Sequence, residues 1–208
     1  MKKISNNKIF TRRTKRHLAE LALIFTSVFL AFILNEVRNN YNENKNLAIS
    51  LEFIQEEITQ NHVFIKETIE IHKTMVQIID TLLENGTFET AYSEKSGFTQ
   101  QNFYEGDSYF SQLLSHDAWN IANNNKIFDK MDIRDVANLS RAYEQQIHVM
   151  RTAWDIGDFL QSDAVFDKNR TKINCKILQK KFNLLIGLEI RLLKNYIAAE
   201  ETLSKLID

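Results

Sequence analysis

The sequence predicts an all-α protein: an N-terminal transmembrane helix followed by an antiparallel helical bundle with long helices. Three observations predict it. The 208 residues contain no proline and five glycines, where average usage would give roughly ten and about fifteen; an all-β fold needs such turn formers. One long apolar run lies near the N-terminus, and apolar residues further on recur in alternating four- and three-residue steps. The lone Cys175 excludes an intramolecular disulfide framework and a cysteine-cluster metal site. The formal net charge of -1 gives no general basis for binding nucleic acid.

That small net charge hides an asymmetry. Residues 1–17 carry Lys2, Lys3, Lys8, Arg12, Arg13, Lys15 and Arg16 and no acid, a charge of +7, so the net -1 leaves -8 on residues 18–208. Leu18–Leu34, LAELALIFTSVFLAFIL, follows directly, with Glu20 as its one charge. At 1.5 Å per residue it would cover about 26 Å, just under the roughly 30 Å hydrocarbon core. Snorkelling of Arg16 and a locally thin bilayer close the gap. A cleavable signal peptide needs small residues just after the run. Phe32-Ile33-Leu34-Asn35-Glu36 offers none, so the run is expected to stay as an anchor. Seven basic residues precede it and only Arg38 and Lys45 closely follow it. The positive-inside rule then places the N-terminus in the cytoplasm and the rest outside. The expected organisation is a basic cytoplasmic tail at 1–17, a span at 18–35 and an extracytoplasmic domain at 36–208. The simplest setting is a bacterial inner membrane with a periplasmic domain. Glu20 is expected at the cytoplasmic interface near Arg16, and Ser27 with Ala31 would let two such helices approach closely.

The next segments read as helices. Nothing in 36–46, EVRNNYNENKN, breaks a helix, so the span is expected to continue into the stripe Leu47, Leu51, Ile54, Ile58, Asn61, Ile65, Thr68, His72, Met75, Ile79 and Leu82. Its three polar members either specify register or mark a true stripe shifted to Ile65, Ile69, Val76 and Leu83. Asn85-Gly86 ends the helix. Residues 87–107 are loop-like and lead into Phe98, Phe103, Tyr104, Tyr109, Phe110 and Trp119. These aromatics are expected to pack over the helix ends, with a partner surface as the alternative. A second helix is expected from Ser108 to about Ala122, stopping at Asn123-Asn124-Asn125. A third, capped by Asp132 with Asp135 three residues on, carries Val136, Leu139, Tyr143, Ile147, Met150 and Trp154 on one side. Gly157 is expected to mark a bend. The last helix starts near Thr171 with Asn169 as cap, and its stripe is Leu178, Phe182, Leu185, Glu189, Leu192, Tyr196, Ala199, Leu203 and Leu206. The first and last long helices are expected to pair antiparallel, Leu51 near Leu203 and Ile79 near Leu178, with no sheet anywhere in 36–208.

Site chemistry is sparse. No phosphate-binding loop, zinc-protease, nucleophile-elbow or dinucleotide motif occurs. The histidines are His17, His62, His72, His116 and His148. His62 and His72 lie ten residues apart, off a common helix face. Glu144 and His148 are one turn apart, but no Glu-x-x-His pair of the di-iron type is present. Each histidine reads as satisfied or exposed. Cys175 lies among Lys172 and Lys176, which would lower its pKa, yet no base or acid stands at a visible spacing. We therefore assign no catalytic, cofactor-binding or metal-binding residues.

Two stretches carry a resemblance. Glu20, Ala31, Asn35-Glu36 and the Asn-rich exit form the first. Ala118-Trp119-x-x-Ala122, Met131-Asp132 and Leu139-Ser140-x-x-Tyr143-x-x-Gln146 form the second. In these the chain resembles a bacterial family of unknown function, small single-pass membrane-anchored helical proteins. The resemblance implies architecture and place, not a mechanism. The expected function is a non-enzymatic periplasmic helical interaction or scaffold domain; the alternative is a small-ligand sensory module signalling through a membrane partner. Expected partners are the lipid bilayer and a protein partner or a second copy, with no nucleic acid and no cofactor.

Overall fold

The computed structural model describes residues 12–99, 101 and 113–207, with the backbone alone for 12–15. Phe103, Tyr104, Tyr109, Phe110 and the expected helix start at Ser108 lie outside the described residues. The protein is all-α, and the chain divides into two units, 1–46 and 47–208.

Helix α1, Arg12–Glu84, is 73 residues long and unbroken through 36–46, as the lack of Gly and Pro there dictates. In the first unit every described side chain from Arg16 to Asn46 is exposed. The helix is long and apolar enough to cross a membrane. Within the apolar run both hydroxyls bond to the helix itself: Thr26 Oγ1 donates to the Ala22 carbonyl at 2.8 Å and Ser27 Oγ to that of Ile24 at 2.9 Å. Such internal pairing is what an apolar solvent demands. Glu20 accepts from Arg16 Nε at 3.1 Å and lies 3.2 Å from His17 Nδ1.

In the second unit α1 buries Leu51, Ile54, Ile58, Ile65, Met75 and Ile79. Asn61, Thr68 and His72 are buried with them. The stripe therefore keeps its polar members; of the shifted alternative, Ile69 joins the core while Val76 and Leu83 are half-buried. At its end Thr87 N–H reaches the Leu82 carbonyl at 3.0 Å, and Gly86 takes φ +70°. This is a glycine cap closed by a six-to-one hydrogen bond.

A small sheet corrects the expectation of none. Strands β1 (Tyr92–Ser93) and β2 (Gly97–Phe98) pair antiparallel, Tyr92 opposite Phe98. Gly97 makes the hairpin possible twice over. Its φ is +69°, and a Cβ there would lie 2.7 Å from the Val165 carbonyl oxygen. Phe98 is fully buried beside it.

Helix α2 spans Asp117–Asn124, so the helix expected from Ser108 begins later: residues 113–116 are non-helical. Their backbone groups bind side chains of other elements, as described below, instead of a helical ladder. After α2 the left-handed residue is Lys126 at φ 55°, not an asparagine. Helix α3, Ile133–Leu160, is capped by Asp132, whose Oδ1 accepts from Arg134 N–H at 2.8 Å, and continues through Gly157. Its buried face differs from the expected stripe. Leu139, Tyr143 and Met150 are buried, but Ile147 is 57% and Trp154 59% exposed. Ala142, Gln146, Val149, Ala153 and Ile156 complete the face instead. Ile147 follows Gln146 directly, and each step turns the helix by about 100°, so burying one turns the other away.

Helix α4, Thr171–Ile207, starts after a 3-10 turn at Lys168–Arg170. That turn is capped by Asp167, which accepts from Asn169 N–H at 2.9 Å, so Asn169 enters as a backbone donor within the turn and not as the capping side chain. Leu178, Phe182, Leu185, Glu189, Leu192, Tyr196, Ala199 and Leu203 are fully buried. Leu206 is 36% exposed and leaves the stripe. Side chains join α1 to α4 at Asp80 with Gln179, His72 with Glu189 and His62 with Glu200. Gln145 Nε2 on α3 donates to the Leu188 carbonyl of α4 at 3.1 Å, and Asn138 Nδ2 to Thr202 Oγ1 at 3.3 Å.

The two left-handed glycines give a paired test. At Gly86 nothing lies within 4 Å of the place a methyl group would take, whereas at Gly97 the Val165 carbonyl stands there. Gly86→Ala should cost about 1–2 kcal/mol, the backbone strain alone, and Gly97→Ala distinctly more. Denaturant unfolding followed by circular dichroism checks this. Equal losses would remove the hairpin from its place against Val165.

Candidate functional site

The sequence assigns no site residues, so the site has to be built from the structure. It starts at the non-helical residues before α2. Backbone groups without a ladder must find other partners when partly buried, and α1 and α3 supply them. Asn61 Nδ2 donates to the Ser115 carbonyl at 2.7 Å, and Asn61 Oδ1 accepts from Ser115 N–H at 3.1 Å. Gln146 Nε2 donates to the same carbonyl at 2.9 Å and to that of Leu114 at 3.2 Å. Glu57, 8% exposed, gathers three donors: Ser115 Oγ at 2.6 Å, Ala118 N–H at 3.0 Å and the Tyr143 hydroxyl at 2.8 Å. Tyr196 of α4 donates to Gln146 Oε1 at 2.8 Å. Burial, then the charge of Glu57, holds both phenols well above the usual tyrosine range. Both therefore stay protonated donors.

This seam fixes Trp119, in the first turn of α2. Its ring stacks on Tyr143 at 4.8 Å and lies against Phe128 at 4.5 Å. Beside it opens a cavity of about 670 Å³ between α2 and α3. Leu113, Trp119, Tyr143, Ile147, Met150 and Trp154 form its apolar lining. Its charged or titratable lining residues outside the phenol are His116, Asp117 and Glu144. Ile147 and Trp154, whose exposure the stripe did not foresee, both line this cavity. The size lies within the range of small-molecule sites.

The histidines divide as follows. His72 Nδ1 lies 2.9 and 3.0 Å from the two Glu189 oxygens, both side chains fully buried, with the Phe182 ring 5.3 Å away. His62 Nδ1 lies 3.0 Å from Glu200. His148 is exposed. Glu144 accepts from Ser140 Oγ at 3.1 Å. Among the described residues no group of three His, Cys, Asp or Glu could hold a metal ion. Cys175 departs from expectation: it is buried, and burial pushes its thiol up to about 11, opposed only by a backbone hydrogen bond. Of the aromatic segment, Phe98 packs in the core while Trp119 both packs and lines the cavity.

Sequence reasoning missed Glu57 altogether. It had a signal, since a glutamate next to a stripe isoleucine sits at the edge of the apolar face. Gln146 appeared only within the resemblance pattern, and Asn61 only as an irregular stripe member.

Burial also holds the Glu189 carboxyl above the usual carboxylate range, with His72 pulling the other way. A raised value in the fold means that Glu189 favours folding most below its unfolded value of about 4.3. That contribution is lost as pH climbs through the folded value. Glu189→Gln keeps an oxygen for His72 but cannot ionise. Its unfolding free energy should lack that decline in a pH series from about pH 4 upward. A decline as steep as wild type would show that another group causes it.

No protein-family model, no curated protein and no solved structure matches the chain.

Proposed function

We propose that the chain is a single-pass membrane protein whose helical domain, residues 36–208, binds a partner outside the cytoplasm and is not an enzyme. The observation that carries this reading is the fully exposed apolar run Leu18–Leu34 behind seven basic residues. Exposed leucines and phenylalanines on every side of a helix suit lipid and not water. The charge bias supports a cytoplasmic N-terminus. The resemblance to small membrane-anchored bacterial proteins suggests an inner membrane with the domain in the periplasm, and a protein partner or a second copy as its contact.

Within the domain we read the long helices as an antiparallel bundle. Support comes from the α1–α4 contacts, where residue numbers fall on one helix as they rise on the other: Asp80–Gln179, His72–Glu189, His62–Glu200. On this reading Leu203 stands level with Ile58, about two turns from the Leu51 expected opposite it. The hydrogen-bonded polar groups of the seam hold helices together, which suits a structural interior better than a reactive one. The small-ligand sensory module is the second reading, and the α2–α3 cavity favours it.

Two experiments test the proposal. A C-terminal reporter that works only outside the cytoplasm should be active, and one that works only inside should be silent; the reverse would overturn the topology. In a Cys175→Ser background, cysteine pairs at Asp80/Gln179 and at His62/Glu200 should each be joined within one chain by a short bismaleimide. The exchanged pairs Asp80/Glu200 and His62/Gln179 should not. Joining of the exchanged pairs would overturn the antiparallel arrangement.

A further inference from the structure

The α2–α3 cavity has a chemical bias. Two tryptophans, Tyr143, Leu113, Ile147 and Met150 give it an apolar, aromatic lining, and Trp154 is an exposed residue. The lining contains two carboxylates, Asp117 and Glu144, and neither lysine nor arginine. Both acids are exposed. An anion would meet two like charges here and no lysine or arginine, with the His116 imidazole as the only basic group among the lining residues. A cation would meet the two carboxylates of the lining and the indole of Trp154, tryptophan being the strongest cation–π acceptor among side chains. Volume and lining match sites that enclose most of a small molecule.

We propose that this cavity binds a small organic cation, an amine or quaternary ammonium compound, whose apolar body rests on Leu113, Ile147 and Met150 while Trp154, Asp117 and Glu144 hold its charge. The proposal rests on the reading of the domain as a small-ligand module and names the ligand class that reading lacks. The seam explains why the site is ready-made. Glu57 and Asn61 fix Ser115 and Ala118, and these flank the residues that line the cavity from the α2 side. A ligand that enters meets side chains already ordered, which lowers the entropy cost of binding.

The chain's two tryptophans are Trp119 and Trp154, so intrinsic fluorescence reports on this cavity alone. The full chain in neutral detergent micelles is titrated with three probes of one shape: choline, 3,3-dimethylbutan-1-ol and 3,3-dimethylbutanoate. Choline should give a saturable emission change at a concentration lower than the alcohol by about tenfold or more, the preference that 1.4 kcal/mol confers. The anion should give none. In Asp117→Asn with Glu144→Gln the advantage of choline over the alcohol should shrink to that from the Trp154 ring alone. In Trp154→Phe, read through Trp119, it should persist in weakened form. Equal binding of choline and alcohol by the wild-type chain would overturn the cation assignment and leave the ligand-site reading standing. No saturable change with any probe would overturn both. The wild-type comparison decides the matter even where a variant fails to fold.

Discussion

The second unit of this protein depends on how it satisfies the backbone of residues 113–118. A connection that runs past an apolar core carries peptide groups that need partners, and an unpaired buried peptide group costs about 1–3 kcal/mol. Here α1 offers a carboxylate and a carboxamide one turn apart, Glu57 and Asn61, and together they take up Ser115 N–H, the Ser115 carbonyl and Ala118 N–H. Gln146 of α3 shares the same carbonyl, and Tyr143 and Tyr196 bring α3 and α4 to the same polar core. One set of hydrogen bonds thus ties three helices and the entry to α2. Hydrogen bonds to an ionised acceptor are the stronger kind, so Glu57 is the member whose loss the others could least replace. The position of Trp119, and with it one wall of the cavity, follows from this tie.

The α1–α4 boundary uses a different device. His72–Glu189 is fully buried and joins the two mainly apolar stripes, and His62–Glu200 is half-buried beside them. A stripe of isoleucine and leucine alone tolerates sliding by one heptad, because the side chains on each side are alike. A buried acid facing a buried imidazole does not, since a slip would leave both without each other in a medium that penalises it. Glu189 bears the cost in its raised pKa. We read these pairs as fixing the alignment of the two helices rather than as adding stability. Hydrophobic replacements of similar volume often match or exceed such pairs in stability.

Much of this fold was legible in the sequence, for local reasons. The uninterrupted α1 followed from missing breakers, the Asp132 cap from its carboxylate ahead of a helical run, and the α4 stripe from its four- and three-residue steps. Asn61, Thr68, His72 and Glu189 stood out as polar members of those stripes. What the sequence did not reveal depended on contacts distant along the chain. The helix start before α2 is displaced because Ser115 binds Asn61, 54 residues away. Ile147 and Trp154 looked like core on periodicity, but Gln146 takes the buried direction because Tyr196 and Ser115 need it. Gly97 looked like an ordinary loop residue until Val165 was placed against it. Cys175 looked activated by neighbouring lysines, while its packing inside α4 sets its pKa instead. The cavity is the sum of these non-local effects, so no local motif announces it.

The central claim is that side chains of α1 hold the backbone just ahead of and within the first turn of α2. Amide hydrogen exchange of the full chain in micelles, read residue by residue, tests it most directly. Ser115 is exposed overall and lies outside any helix, and Ala118 lies in the first helical turn, where amides normally lack an intrahelical partner. Our account predicts that both amides exchange far more slowly than unprotected ones, and that Asn61→Ala releases Ser115 while Glu57→Ala releases Ala118. Exchange of both at unprotected rates in the wild-type chain would contradict it.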